Sequence, residues 1–308
     1  MSVYLGRRLL TSILVLVGVS ILTFAMLHLV PGDPVTAMLG RQAVSGEKAA
    51  ELRDLLGLND PLPVQYWRYA SGALHGDLGE SIRSRRPVIE IIAEQVPSTI
   101  RLTLAAIPLA LITGMGLGLA AAIYRDTWVD TAIMTLSISG ISIPSFWLGL
   151  LLILLFAVAL GWLPSVASSN DWRGLILPAI TLAAGESAVI SRVTRASLLD
   201  VFGKEYLVTA RAKGVTEKRV IFRHALPNAL IPVVTILGLQ IGFLLVGSIV
   251  VETVFARQGL GRLAITAISS RDFPLVQGIV LVTASAYVVI NTLTDLLYAV
   301  LNPRIRLQ

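Results

Sequence analysis

The chain has 308 residues, of which 55% are hydrophobic and 14% are charged, and its mean hydropathy is +0.78. This apolar content exceeds what the core of a soluble domain holds, so the composition indicates an integral membrane protein. The net charge of +6 does not indicate nucleic-acid binding, because no basic stripe with interleaved aromatic residues lies outside apolar context. The absence of cysteine excludes disulfides and a cysteine nucleophile, and the three histidines are too far apart in sequence for a local metal motif.

Six apolar runs are long enough to cross a bilayer, since about 20 helical residues span roughly 30 Å of hydrocarbon. They predict an all-α, polytopic membrane protein with both termini on one side. The first run is a retained span rather than a cleaved signal peptide, because it is too long and lacks a small-residue cleavage site. The predicted spans cover approximately 9–30, 98–124, 131–160, 175–194, 228–251 and 276–300.

Lysine and arginine are distributed unevenly between the two sides of this arrangement. The side with the termini carries thirteen of them in its short segments, eight of which fall in 191–227, whereas the opposite short loops carry four. Since basic residues accumulate in cytoplasmic loops, the termini and 191–227 are predicted to be cytoplasmic. Residues 1–30 then form an N-terminal transmembrane helix, 31–96 an extracytoplasmic loop subdomain, and 97–303 a core of five spans.

The third predicted span is too long for one straight helix, because about 30 residues at 1.5 Å each reach roughly 45 Å. Pro144 removes a backbone donor in the first half of this span, where serines including Ser142 also cluster. Two interpretations stay open. The segment is either a kink satisfied by neighbouring helices or a polar stretch, containing Ser142 and Pro144, that lines a pathway.

Glu186 lies in the fourth span, and an ionisable side chain in apolar context is a candidate functional residue. It is expected to face a water-filled vestibule, a subunit interface or a pathway. Gln240 in the fifth span raises the same question more weakly, because it can simply bond another helix. A self-sufficient transporter that couples to protons through Glu186 is one alternative. A membrane-embedded enzyme is disfavoured, because the sequence has no paired intramembrane histidine and carboxylate, no Gly-x-Ser-x-Gly turn and no zinc motif.

Glycines in two of the spans predict that helices approach each other closely, either within this chain, which is the favoured interpretation, or in contact with a partner subunit. Gly114 and Gly118 have the small-xxx-small spacing that permits such contacts. The full set is Gly114, Gly116 and Gly118 in the second span, with Gly238, Gly242 and Gly247 in the fifth.

The 191–227 segment is predicted to form two short helices that meet at Gly214. Basic residues in the last turn before Gly214 suit the helix dipole, and glycine suits a left-handed cap. Glu217 opens the next helix, and Pro227 marks the start of the fifth span. A solvated, positively charged loop is the simpler alternative. Against it, apolar residues recur at three- and four-residue steps and predict a stripe on a charged helix: Leu199, Phe202, Tyr206 and Ala210.

Two motifs in this segment resemble a known family. Thr209-Ala210-Arg211-Ala212-Lys213-Gly214, with Pro227 thirteen residues after the glycine, resembles the coupling motif of ATP-binding-cassette (ABC) importer permeases. The glutamate that is usual six positions before the glycine is Val208 here. Tyr206 to Gly214, followed by Arg223-His224-Ala225-Leu226, resembles the dipeptide, oligopeptide and nickel branch of the family.

Other stretches, found along almost the whole chain, resemble the first, B-type permease of that branch. They are Pro31-Gly32-Asp33-Pro34, Leu58 to Tyr66, Gly76-Asp77-Leu78-Gly79 with Ser81 and Pro87-Val88, Glu252 to Phe255, Gly259 to Leu263, Arg271-Asp272-Phe273-Pro274 and Asn302-Pro303-Arg304.

The resemblance implies a type I ABC importer transmembrane fold in the bacterial cytoplasmic (inner) membrane. It implies a non-catalytic permease for dipeptides or short oligopeptides, although nickel or glutathione stay open. The partners would be a second homologous permease, two cytoplasmic ABC ATPases and an extracytoplasmic substrate-binding protein. Coupling to the ATPases would run through 205–227, with the contact set Tyr206, Thr209, Ala210, Arg211, Ala212, Lys213, Gly214, His224 and Pro227.

The sequence contains no Gly-x-x-x-x-Gly-Lys-[Ser/Thr] motif, so it offers no phosphate-binding loop for ATP. We therefore expect this chain to bind no metal or cofactor, with ATP and Mg on the partner ATPases.

The predicted orientation is directly testable, because single cysteines are easy to read in a chain that has none. An impermeant thiol reagent added to intact cells should label Glu51→Cys and spare Lys213→Cys. Labelling of Lys213→Cys with protection of Glu51→Cys would show that the orientation is inverted.

Overall fold

The computed structural model describes residues 2–29, 59–166 and 171–301. Within these ranges the chain is helical, and its β-type pairing is an isolated bridge between Glu80 and Pro87. The all-α prediction is therefore confirmed. Much of the predicted extracytoplasmic subdomain, including Pro31 to Pro34 and Leu58, lies outside the described residues, as does the Asn302-Pro303-Arg304 motif.

The helices follow one another with short connections. Two stretches of π-helix each continue the helix that precedes them without a break. In chain order the elements are α1 (Ser2–Leu29), α2 (Leu62–Leu74), α3 (Val88–Ile123), α4 (Trp128–Ser142), α5 (Ser145–Leu152), π1 (Ile153–Ala159), α6 (Arg173–Phe202), α7 (Glu205–Ala212), α8 (Glu217–Arg219), π2 (Val220–Ala225), α9 (Leu226–Val254), α10 (Leu260–Ser269) and α11 (Phe273–Leu301).

Five helices of the described chain are long and apolar enough to cross a membrane, and the bent pair α4 and α5 makes a sixth when counted as one span. This agrees with the six predicted spans. Helix α3 begins at Val88, ten residues before the predicted start of the second span. The prediction missed these residues because Glu90 and Glu94 make the first turns of the helix too polar to be recognised as part of a span. The helical run that contains the fifth span likewise begins at Glu217, but its long α-helix, α9, begins at Leu226 with Pro227 in the first turn, as predicted.

The third span is bent by 107° between α4 and α5. Helix α4 ends at Ser142, and the Ile143 amide donates to the carbonyl of Ser139 at 2.9 Å. Pro144 then has φ −59° and ψ 135°, which is extended rather than helical backbone, and α5 starts at the next residue. Because proline has no amide hydrogen, the bend at Pro144 leaves no backbone donor of that residue without a hydrogen bond. The predicted break at Pro144 is confirmed.

The described chain divides into two compact units. One holds the residues up to Pro97 together with Gln258–Leu293, and the second holds Ser98–Arg257 with the chain from Thr294. The first unit has a small apolar core from the start of α3, α10 and the start of α11: Val88, Ile92, Ala267, Leu275 and Ile279. The core of the second unit is larger and includes Leu102, Ala106, Leu177, Ile190, Leu244 and Val251.

Two glycines bring α3 into close contact with α6 in the second unit. A Cβ atom at Gly118 would lie 2.5 Å from the carbonyl oxygen of Ser191 and 2.6 Å from Cβ of Thr194. A Cβ atom at Gly114 would lie 2.7 Å from the carbonyl oxygen of Ser187. The close approach predicted from this spacing is confirmed. Nothing lies within 4 Å of the Cβ position of Gly116, so this glycine brings no neighbouring helix of the described chain close, and its contact with a partner subunit stays a prediction.

This difference defines a matched pair of substitutions in one helix. Both Gly118→Ala and Gly116→Ala gain up to about 1 kcal/mol of helix propensity. At Gly118 the added methyl collides with α6, and overpacking of this kind costs about 1–3 kcal/mol. Gly118→Ala should therefore lower the midpoint of thermal unfolding in detergent, and Gly116→Ala should keep or raise it. Equal midpoints for the two variants would contradict a close α3–α6 contact.

Candidate functional site

A buried leucine holds the 205–227 segment against the ends of the longer helices. Helix α7 follows α6 after two residues, and Leu207 is its buried side chain, with no exposed surface. Leu207 packs in a cluster with Leu198 of α6 and Val220 of π2, which we call the Leu207 cluster. Its other buried members are Ala122, Ala225 and Ala229. The inner face of the segment is therefore packed against its own chain and is not a solvated loop.

The predicted apolar stripe on a single helix is wrong. Helix α6 ends at Phe202, so Leu199 and Phe202 lie on one helix and Tyr206 and Ala210 on the next. Leu199, Phe202 and Ala210 pack against the Leu207 cluster, whereas Tyr206 stays 43% exposed. Periodicity alone did not reveal the helix boundary at Gly203. Most of the stripe thus faces this chain's own core and not a partner.

Gly214 ends α7 in the left-handed conformation that the sequence predicts, with φ +77°. The Val215 amide donates to the carbonyl of Ala210 at 3.2 Å, and the Gly214 amide donates to that of Arg211 at 2.9 Å. These two bonds form a Schellman cap, which satisfies carbonyls that the helix end leaves free. Val215 and Ala210 both pack against the Leu207 cluster, as is typical of this motif.

An ion pair bridges the two helices across this cap. The guanidinium of Arg211 donates through Nε and Nη2 to the two carboxylate oxygens of Glu217, at 3.0 and 2.8 Å. This hydrogen bonding raises the pKa of Arg211, so the side chain stays charged. Because both side chains are largely exposed, the pair contributes at most about 1 kcal/mol. Its role is to orient the connection between α7 and α8.

Tyr206 and His224 meet through a residue that the sequence analysis did not single out. The Asn228 amide group donates to the Tyr206 hydroxyl at 3.1 Å and to the His224 carbonyl at 2.8 Å. The Tyr206 hydroxyl in turn donates weakly to the same carbonyl at 3.4 Å. Helix α7 is thereby tied to the junction of π2 and α9. His224 takes part through its backbone, so a histidine-specific role has no support in these contacts.

The remaining predicted coupling residues form a continuous outward-facing run. Exposed positions on α7 and its cap are Tyr206, Val208, Thr209, Arg211, Ala212, Lys213 and Gly214, and Pro227 is exposed on α9. Ala210 and His224 are half-buried. Segment 205–227 therefore has a packed inner face and a polar, basic outer face.

Two of the four predicted pathway residues, Glu186 and Gln240, contact each other in the structure. The Gln240 side-chain amide donates a hydrogen bond to the carboxylate of Glu186, linking α9 to α6. Ser142 instead donates to the carbonyl of Ile138 in its own helix, and Pro144 forms the bend after it. Among the described residues, no group of three or more His, Asp and Glu side chains is placed to hold a metal ion.

A buried ion pair links α4 to α6 and was missed by the sequence analysis. Arg195 donates through Nε and Nη2 to both carboxylate oxygens of Asp130, each at 2.6 Å. The Asp130 side chain is 6% exposed and that of Arg195 is 25% exposed. In the sequence, Arg195 is one of the eight basic residues of the predicted cytoplasmic segment 191–227. The available signal was Asp130, a lone acid at the start of an apolar helix.

Two sequence profiles of one transport family together match most of the chain. Residues 114–307 match the binding-protein-dependent transport system inner membrane component, and residues 1–103 match the N-terminal region of the same kind of membrane component. Relatives include the glutathione transport system permease protein GsiC of Salmonella paratyphi A, 48% identical over 303 residues, and GsiC of Escherichia coli K12, 47% identical. Each alignment covers 98% of both chains.

Solved structures with the same fold are more distant in sequence. The MetNI methionine ABC transporter, in an inward-facing conformation, gives a TM-score of 0.59 at 18% identity and covers 69% of this chain and 96% of that chain. An amino acid ABC transporter with histidines gives 0.54 at 18% identity and covers 68% and 94%. These likenesses establish the type I ABC importer transmembrane fold.

The buried pair Asp130–Arg195 can be tested against an exposed one. Asp130→Asn leaves a largely buried guanidinium without its counter-charge, which should cost about 2–4 kcal/mol and lower the unfolding midpoint in detergent. Adding Arg195→Gln should recover part of the loss, because no charge then stays unpaired.

The control is Arg125→Gln, which breaks the exposed pair between Arg125 and Asp126 and should cost less than about 1 kcal/mol. A similar small effect for Asp130→Asn and Arg125→Gln would contradict a structural role for the buried pair.

Proposed function

The chain belongs to the family of binding-protein-dependent transport system inner membrane components, and from this premise we propose that it forms half of the pathway of an importer for glutathione or peptides of similar size. As a member it is a multi-pass inner-membrane permease subunit of an ABC importer and is not itself an enzyme. Hydrolysis of ATP belongs to partner subunits. The alternative of a self-sufficient, proton-coupled transporter is set aside by this membership.

The substrate is proposed from the relatives. GsiC proteins of Salmonella and Escherichia coli carry glutathione transport in their names and align with 98% of this chain. Glutathione is a tripeptide, so it falls within the short-peptide class that the motifs predict. A polar, charged solute needs hydrogen-bonding groups along an apolar passage. Glu186 and Gln240 offer such a pair within the spans, and we assign them to the pathway wall.

The other subunits of the complex are proposed from the family to which the chain belongs. We assign to it a second related permease, two cytoplasmic ATPases and an external substrate-binding protein, with ATP and Mg on the ATPases. The termini and the 205–227 segment face the cytoplasm in this arrangement, as the distribution of basic residues predicts.

Segment 205–227 would transmit the motion of the ATPases to the spans. Its outward face carries Tyr206, Arg211 and Lys213, side chains suited to a groove on a partner protein. Its inward face is fixed by the Leu207 cluster to α6 and π2, and π2 continues into α9. A push on the outer face would therefore move the ends of two spans together. Such rigid-body rocking is how alternating access is commonly achieved.

Reconstitution tests the function. The complex that copurifies with the tagged chain should take up labelled glutathione into proteoliposomes when both ATP and its binding protein are present. Uptake driven by a proton gradient without ATPase subunits would contradict the proposal. ATP-driven uptake of dipeptides but not glutathione would retain the importer and reject the substrate.

Gly214 offers a test of coupling that separates backbone conformation from steric space. A valine there must adopt φ +77°, at a cost of about 1–2 kcal/mol, although nothing lies within 4 Å of the added Cβ. Gly214→Val complexes should assemble and dock the binding protein yet lose uptake, with ATPase activity that no longer responds to substrate or ATPase subunits that no longer bind.

Two variants control this experiment. Gly214→Asn should keep most uptake, because asparagine tolerates the left-handed region. Gly203→Val, at the end of α6 where φ is −81°, should have a small effect. Normal uptake and substrate-stimulated ATPase activity in Gly214→Val would remove the segment from coupling.

A further inference from the structure

A tight turn between Gly79 and α3 presents a row of arginines in the first unit. The Arg85 amide donates to the Ser81 carbonyl, and the Ser81 amide donates to the Arg86 carbonyl, both at 3.0 Å. The Ser81 hydroxyl also accepts the Ser84 amide at 3.0 Å. These bonds close the turn on itself. Its side chains are thus held on a rigid backbone, which we call the arginine turn (Ser81–Arg86).

A buried carboxylate fixes the arginine turn to the base of α11. Asp272 is 2% exposed, and its carboxylate accepts hydrogen bonds from the Ser81 hydroxyl at 2.5 Å and from the Ile82 amide at 3.1 Å. The Arg83 amide lies at 3.5 Å from the same carboxylate. Sequence motifs that are about 190 residues apart therefore form one structure. A buried carboxylate that accepts hydrogen bonds from several groups of one turn holds the backbone of that turn in place.

Two arginines at this place have left-handed backbone, which side chains other than glycine rarely adopt. Arg85 has φ +57°, and Arg271, next to Asp272, has φ +56°. Both side chains are exposed, so burial does not explain why arginine occupies these positions. At Arg271 this conformation closes a Schellman cap at the end of α10, in which the Asp272 amide donates to the carbonyl of Ala267 at 2.9 Å and the Arg271 amide donates to that of Ile268 at 3.1 Å.

Most of the arginines on this surface have no ion-pair partner among the described residues. Arg86 pairs with Glu94 and Glu90. By contrast, Arg83, Arg85 and Arg271 make no ion pair within 4.0 Å in the described part of the chain, and neither does the neighbouring acid, Glu80. Three exposed guanidinium groups therefore stand on a rigid support without a carboxylate partner among the residues that the structure describes.

We propose that the arginine turn, with Arg271, is a docking surface for an acidic face of the external substrate-binding protein. This rests on the proposed function and on the predicted orientation. Arginine is suited to the task because its planar fork pairs with carboxylates through two parallel hydrogen bonds. A rigid support reduces the entropy lost on binding, and uncompensated charge accelerates the encounter of opposite charges.

The length of α3 favours a protein over membrane lipid as the partner. Its last 22 residues, from Leu102 to Ile123, contain no charge and would span about 33 Å, close to the hydrocarbon thickness. The preceding stretch from Val88 to Arg101 adds about 20 Å of helix. The arginine turn immediately precedes Val88, at the start of this additional stretch of helix.

The test measures docking of the binding protein on the intact complex in nanodiscs. The probe is the binding protein that supports ATP-driven uptake in the reconstitution. Arg83→Glu combined with Arg85→Glu should weaken docking at low salt by tenfold or more, mainly through a slower association rate, and the difference from the parent should shrink at high salt. Arg83→Lys combined with Arg85→Lys should keep most of the docking.

One substitution separates function from folding. Arg85→Gly removes a charge but suits φ +57°, so the complex should be at least as stable as the parent while docking weakens severalfold. Arg173→Gln, which removes an exposed arginine outside the arginine turn, should dock like the parent.

The outcomes are distinguishable. A parent complex that docks no binding protein and transports nothing with one would refute the proposed function. A competent parent with equal docking by the double glutamate variant would refute this surface alone. A loss of docking by the double glutamate variant that occurs only in nanodiscs containing anionic lipid would likewise overturn it, since headgroups and not the binding protein would then be the partner.

Discussion

The membrane solvent is the constraint from which the rest of this structure follows. Helices gain little by burying leucine against one another in lipid, and large apolar side chains such as Leu22 and Ile112 are accordingly exposed. What holds the described spans together is close backbone approach and a few polar contacts. Gly118 brings α3 onto α6, Asp130 pairs with Arg195, and the fully buried Glu252 accepts a hydrogen bond from Thr99. Each contact joins different helices, so each also fixes how the spans can move.

The 205–227 segment uses a different principle, because it is predicted to lie outside lipid, where burial of apolar surface is favourable. Leu207 is buried completely, and the Schellman cap at Gly214 returns the chain so that Val215 joins the same cluster. The outward face stays polar and basic. This division between a packed side and a free side is what a lever between subunits requires, and it explains why a short helix of eight residues is held firmly enough to transmit force.

Much of the fold was predictable because lipid imposes long apolar runs, and Pro144 and Gly214 impose local backbone geometry that any neighbourhood must respect. The failures have a common origin in tertiary contacts. The boundary between α6 and α7 broke the predicted stripe, since periodicity continues across a two-residue interruption at Gly203. Gly116 and Gly118 are both glycines of the same apolar run, but nothing lies within 4 Å of the Cβ position of Gly116. Two other contacts join residues that are far apart in sequence: the ion pair between Asp130 and Arg195, and the hydrogen bond from Ser81 to Asp272. No local sequence pattern predicts such partners.

The central claim is that ATP-driven motion reaches the spans through the buried contacts of α7. It is tested most directly by Leu207→Ala, which should leave a cavity costing about 2–4 kcal/mol in the Leu207 cluster while the outward face stays intact. The measurement is the number of substrate molecules imported per ATP hydrolysed, compared with Val208→Ala on the exposed side of the same helix. This ratio should fall severalfold for Leu207→Ala, with ATPase subunits still bound, and should stay at the parent value for Val208→Ala. An unchanged ratio in Leu207→Ala, in a complex whose α7 is demonstrably loosened, would contradict it.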